Sequence, residues 1–374
     1  MSLDVLIVGG GVLGCTTALH LARGGMRCGL IEKAPNLCMK ATAVNTGNIS
    51  VMWTKPYLVP YALEGIRLWQ TTADWLGMDC GFHSRGGLKL AFTEDEMQRL
   101  EAGARAFRDQ GAEVTMLDGK AARDLEPALS AAVLGASHCP LDGYADATIT
   151  GKAFAPALRE AGVGLRTGQS ITAIDRQAEG FRVQIAGQAS VTTRRLVFAG
   201  GVWIEEMLRW IGVDLPVICR VSQVTVTERM PPLFRTVLGA ASGVLSLKQS
   251  DNGTVLIGGG WQGIGDPVTG PRQHDPDSLI NNLRLAVHAV PGLKDARVVR
   301  SWLGLEARVA DMQPLCGPVP GVPDAWMVGA IDTGYTIGPA MGRTLAQAIM
   351  GQEPDLPMFD PARLVKGATT VPVA

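Results

Sequence analysis

An α/β fold, a Rossmann-like nucleotide-binding domain carrying an inserted mixed antiparallel β-sheet domain, is predicted by three features of the chain. The first 32 residues run in the order strand, glycine turn, helix, strand, acid. Glycine is in excess, 46 of 374 residues against a usual level of about 7%, and it clusters at 9–11, 86–87, 200–201 and 258–260. Between the nucleotide-binding pieces lie segments that alternate as strands with one buried face.

Leu3 to Val8 is an aliphatic, β-branched run suited to a buried parallel strand. It enters Gly9-Gly10-Gly11-Val12-Leu13-Gly14, a G-x-G-x-x-G sequence, and then a helical pattern with Leu13, Ala18, Leu21 and Ala22 on one face that stops at Gly24-Gly25. Gly9 permits the tight turn, Gly11 lets backbone approach a pyrophosphate, and Gly14 allows close helix–strand packing. Val12 and Leu13 open the helix, whose free N–H groups and partial positive charge suit phosphates. A second strand, Arg27 to Ile31, ends in Glu32, 18 positions after Gly14, close to the spacing of about 20 for an acid on a ribose. Glu32 would repel a 2′-phosphate, so NADP is disfavoured. Lys33 follows it at the same site. A dinucleotide is expected here.

Residues 40–50 form a polar, small-residue segment without periodicity, in which Thr42, Asn45 and Gly47 are placed to meet a pyrophosphate or a flavin ring. Arg195 to Trp203 reads as a strand ending in a double glycine and an aromatic. Trp326 to Ile331 is another strand, followed by a Gly-rich loop and a helix through Ile349. Elsewhere Gly86 to Phe92 reads as a strand, and Thr93-x-x-Glu96 is a capping box opening a helix to about Gln110. Cys219 to Glu228, Gly243 to Lys248 and Gly253 to Ile257 alternate as strands, and a helix runs from Asp277-Ser278 through Val290. The expected division is a discontinuous nucleotide-binding domain over 1–85, 140–215 and 295–374, with a substrate-binding domain over 86–139 and 216–294.

Composition excludes several classes. With 34 basic and 35 acidic residues the net charge is −1, so no nucleic-acid footprint is expected. No run approaches the roughly 20 apolar residues of a membrane span. Seven cysteines at 15, 28, 38, 80, 139, 219 and 316 include no C-x-x-C pair, so neither disulfides nor a bound metal are expected. Met1 to Leu6 lacks a basic leader pattern. A cytoplasmic protein is expected.

Three segments together resemble the D-amino acid oxidase-type flavoenzyme family, the glycine oxidase/sarcosine oxidase group. They are the N-terminal fingerprint, Ala199-Gly200-Gly201-Val202-Trp203, and Thr333-Gly334-Tyr335 with Gly338-Pro339-Ala340-Met341-Gly342. The resemblance spans essentially the whole chain. It implies FAD rather than NAD, and it adds Ala199, Gly200, Trp203, Gly304, Gly334, Tyr335, Thr336 and Ile337 to the cofactor-binding residues. It also implies the two-domain layout given above.

The stretch Leu247 to Gly263 resembles the β subunits of multi-subunit dye-linked enzymes: opine oxidases and dehydrogenases, proline or hydroxyproline dehydrogenases, and hydrogen cyanide synthase. That branch implies oxidation of a C–N bond in an opine such as octopine or nopaline, or in a proline-type secondary amine. It implies partner α and [2Fe-2S] γ subunits, with room for FMN at an interface with a partner. The alternatives are a single-chain glycine, sarcosine or D-amino acid oxidase releasing peroxide, and a flavin-binding structural or electron-relay subunit. Two departures from the family pattern matter. Two positions after Gly304, where glycine oxidase-like members carry a carboxylate-binding arginine, this chain has Glu306. Glu306 suits an amine or guanidinium or else pairs with Arg308, which stands as a replacement for the lost arginine. Sarcosine oxidase-like members attach flavin to a cysteine before the aspartate matching Asp311, but Cys316 lies after it, so non-covalent FAD is expected; the loop Leu141 to Asp146 has no histidine, so a histidine-linked FMN is not expected. Tyr144, Tyr335 and Trp261 are the aromatic candidates near flavin or substrate. The five histidines show no catalytic spacing, and His83 alone suggests a pocket or interface role.

Overall fold

The computed structural model describes residues 3–365, apart from 267 and 269. Leu3–Val8 runs parallel to Cys28–Glu32 on one side and to Val191–Phe198 on the other. Gly164–Thr167 extends the sheet beyond Cys28–Glu32. The far side of Val191–Phe198 is shared: its start pairs antiparallel with Phe181–Ile185, and its end pairs parallel with Ala325–Gly329. Ile171–Arg176 and Leu315–Pro318 complete the eight strands.

The continuous apolar character of Leu3–Val8 follows from burial on both faces. Val5 and Ile7 join one core with Leu19 and Leu345, whereas Leu6 and Val8 join another with Ile204 and Leu208. Helices Val12–Arg23 and Gly334–Ile349 lie together on the first face. Their approach requires glycine, because a Cβ at Gly342 would stand 2.7 Å from Thr16 Cβ and one at Gly338 would stand 2.8 Å from Val12 Cγ1.

The second sheet also has eight strands, in the order Val298–Arg308, Ile218–Arg229, Thr254–Gly258, Ser246–Gln249, Val237–Ala240, Gly87–Ala91, Gly135–Cys139 and Thr115–Asp118. All neighbours are antiparallel except Val237–Ala240 with Gly87–Ala91, so the sheet is mixed, as expected. The core under it gathers Leu88, Leu90, Leu247, Val255 and Ile257 against Ala286 and Ala289 of helix Pro276–Ala289. The capping box forms: Thr93 Oγ1 accepts the Glu96 N–H at 3.2 Å, and Glu96 Oε2 accepts the Phe92 N–H at 2.7 Å.

Two expectations need correction. Val298–Arg308, assigned from sequence to the nucleotide-binding portion, pairs along its length with Ile218–Arg229 and belongs to the second sheet. The segment 40–50, expected as a loop without periodicity, holds a helical turn at Ala41–Val44 and a short strand, Asn48–Ile49, against Gly143–Tyr144. Among the described residues no helix is long and apolar enough to cross a membrane.

Candidate active site

A cavity of about 1400 Å³ lies between the carboxyl ends of the first sheet's central strands and the second sheet. Ligand pockets usually hold about 300–1,000 Å³, so this one has room for a large cofactor and a substrate together. Helices Val12–Arg23 and Gly334–Ile349 both begin on it. Neither has a side-chain cap or an acidic residue in its first turn. Both helix starts therefore turn first-turn N–H groups and a partial positive charge toward the cavity, and each attracts negative charge.

The glycine turn fits a pyrophosphate. Gly9 has φ +111°, and a Cβ there would stand 2.4 Å from Ala199 O. A Cβ on Gly14 would stand 2.0 Å from Gly9 O, whereas Gly11, Val12 and Leu13 line the cavity. Thr42 Oγ1 accepts the Val12 N–H at 3.1 Å and fixes the segment 40–50 against the helix start. Glu32 is buried at the cavity edge, where its two oxygens accept the N–H groups of Gly10 and Ala34, each at 2.7 Å. A carboxylate oxygen has further acceptor capacity, so the same bonds that fix Glu32 leave it able to meet a ribose. Lys33 Nζ stands 3.1 Å from the centroid of the Trp203 ring, and both line the cavity beside Ala199 and Gly200.

The opposite end is built from the segment 42–50 and the second sheet. Asn45 ties its own turn through Nδ2 to Ala41 O and Thr42 O, and its Oδ1 accepts the Gly47 N–H. Gly47 stands behind the wall, where a Cβ would be 2.4 Å from Ala145 O and 2.7 Å from Lys248 Nζ. Ser246, Asn48 and Thr46 form a hydroxyl–amide cluster on the cavity side. Behind it Lys248 is buried, 4.4 Å from the Tyr144 ring centroid, and burial pulls its amine down to about 8. Asp142, fully buried, accepts from Ser50 Oγ and from the Val51 N–H at 2.7 Å, and burial pushes its carboxyl up to about 6.

The second sheet brings charge to the cavity. Arg220 and Ser222 stand opposite Glu306 and Gly304 in the register of the two edge strands. Arg308 Nε pairs with Asp332 Oδ1, and its Nη2 lies 3.7 Å from Glu306 Oε2. Burial pushes the Glu306 carboxyl up, opposed by Ser222, Arg308 and Arg220. His274 completes this wall: its Nδ1 lies 2.8 Å from Gln223 Oε1, and Gln223 is itself buried.

Of the residues expected at the site, Glu306, Arg308, Gly304, Gly334 and Thr336 line the cavity. Tyr335 lies on it, but its phenol packs into the core, 4.4 Å from the Trp69 ring centroid and hydrogen-bonded to Thr150 Oγ1 at 2.9 Å. Ile337 is fully buried in the same core, away from the cavity. Trp261 does not line the cavity either. His83 pairs with Asp251 at 3.5 Å, outside it. Arg220, Asp332 and His274 were missed. The alternation Arg220, Ser222 on one strand carried a signal for the first; the others sit in loops whose direction only the fold decides.

A family model for FAD-dependent oxidoreductases, DAO, matches residues 4–348. One of the opine oxidase subunits of Rhizobium meliloti is 27% identical over 375 residues, covering 96% of this chain and 97% of that protein. Glycine oxidase of Geobacillus kaustophilus (strain HTA426) is 29% identical over 358 residues, covering 94% and 93%. The crystal structure of glycine oxidase from Geobacillus kaustophilus superposes with a TM-score of 0.86 at 26% identity, covering 95% of this chain and 96% of that one. L-proline dehydrogenase from P. horikoshii has the same fold, with a TM-score of 0.89 at 22% identity over 97% of each chain.

Proposed function

The chain belongs to the DAO family of FAD-dependent oxidoreductases, and we propose that within it this enzyme oxidises the C–N bond of an opine or a proline-type secondary amine. The observation that carries the reading is Glu306, a carboxylate held in the cavity wall at the substrate end, with Arg308 at 3.7 Å. A carboxylate there attracts a cationic arm of the substrate. The similarity to an opine oxidase subunit over nearly the full length of both chains supports the same substrate class and a heteromeric assembly.

FAD, when bound, supplies the acceptor for the hydride that leaves the substrate carbon. The chain's residues supply placement. The glycine turn and the two helix starts would hold the pyrophosphate and the flavin end. Glu32 would orient the ribose. The wall formed by Ser222, Glu306 and Arg308 positions the amine. Attachment is non-covalent in this reading: Cys316 is buried on Leu315–Pro318, beside Met358 and off the cavity. Partner subunits, and FMN at their interface, complete the electron path away from FAD.

The similarity to glycine oxidase supports a second reading, a self-sufficient oxidase. Oxygen uptake by the isolated holoenzyme separates the two. The first reading predicts slow uptake in air with octopine and fast reduction of an added dye. Rapid peroxide release with glycine or sarcosine would establish the second.

A further inference from the structure

The two guanidiniums at the substrate end of the cavity are not equivalent. Arg308 is engaged on both sides, by Asp332 at Nε and by Glu306 near Nη2. Arg220 projects from the neighbouring strand, opposite Glu306 in the register, and lines the same cavity. Its side chain donates from Nη2 to Gly260 O at 3.1 Å. Among the described residues no carboxylate stands within ion-pair distance of it. A guanidinium has five N–H donors in a planar fork that matches a carboxylate, so most of the Arg220 fork is open to a ligand.

We propose that Arg220, and not Arg308, anchors the substrate carboxylate, while Glu306 takes the positively charged part of the same molecule. The assignment deepens the reading of the cavity as an amine-oxidising site and rests on it. It also defines a shape. Side chains directly opposite on antiparallel strands start about 5 Å apart at Cβ, so the substrate carries its carboxylate and its cationic group close enough to reach both at once. Asp332 becomes a specificity-determining residue, because it keeps Arg308 from competing for the carboxylate.

The test uses the holoenzyme and a matched pair of probes, benzoate and benzamide, titrated against the visible spectrum of the bound flavin. Wild type is expected to prefer benzoate. In Arg220→Gln the benzoate Kd is expected to rise about 30-fold, about 2 kcal/mol, with benzamide changing by about threefold or less. Arg220→Lys is expected to keep part of the preference, and Arg308→Gln to keep most of it. Preference retained in Arg220→Gln, lost only in Arg308→Gln, or absent from wild type would each overturn the assignment. Failure of the opine reading shows separately, as an unbleached wild-type flavin in the presence of octopine while the benzoate preference and its loss in Arg220→Gln persist.

Discussion

At Gly14 a Cβ would stand 2.0 Å from Gly9 O and 3.1 Å from Ala199 Cβ. Backbone cannot yield there without moving the first helix off the turn, so Gly14→Ala is expected to weaken FAD binding about tenfold or more, about 1.4 kcal/mol, as read by flavin retention on dilution. Lys248 makes the opposite kind of prediction. Burial holds its amine at about 8, below its ordinary 10.5. The unfolded chain therefore holds this proton more tightly, and the group's contribution to stability increases as pH rises from about 8 toward 10.5. Lys248→Met is expected to raise stability at pH 7 by about 2 kcal/mol, with the gain fading toward the upper end of that window in urea denaturation. At this scale the sequence was only half legible. Glu306 stood out because its position in the family frame departs from pattern. Arg220 did not, because its open fork is defined by what fails to pair with it, and Tyr335 misled because its ring meets Trp69, 266 positions earlier.

Elements with local causes were legible. The helix Glu94–Asp109 starts where the capping box places it, and Thr93→Ala is expected to cost about 1 kcal/mol without changing flavin content, since Thr93 lies off the cavity. The opening strand, turn and helix were legible for the same reason: their periodicity and their glycine chemistry lie within a few residues of each other. Val298–Arg308 was harder. Its first residues, Val298 and Val299, are exposed, its later ones half-buried, so it lacks clean alternation, and its partner strand lies some eighty positions earlier in the chain. That pairing nonetheless builds the charged end of the cavity, because it sets Arg220 opposite Glu306.

For the whole molecule, two sheets meet over one large cavity, and the cofactor is expected to tie them together. Saturating FAD at 100 times its Kd is expected to stabilise the chain by about 2.7 kcal/mol, a shift visible as a higher Tm with added FAD. The presence of two sheets was legible because strand segments alternate with nucleotide-binding pieces along the chain. The charged wall was not, since it is assembled from Arg220, Ser222, His274, Glu306, Arg308 and Asp332. The most direct measurement is anaerobic mixing of the holoenzyme with a panel of opines, prolines, sarcosine, glycine and D-amino acids while the visible flavin absorbance is followed. The account predicts bleaching by an opine or a proline-type amine, and slow recovery in air. A protein that takes up no flavin, or a bound flavin that none of these amines bleaches, would contradict it.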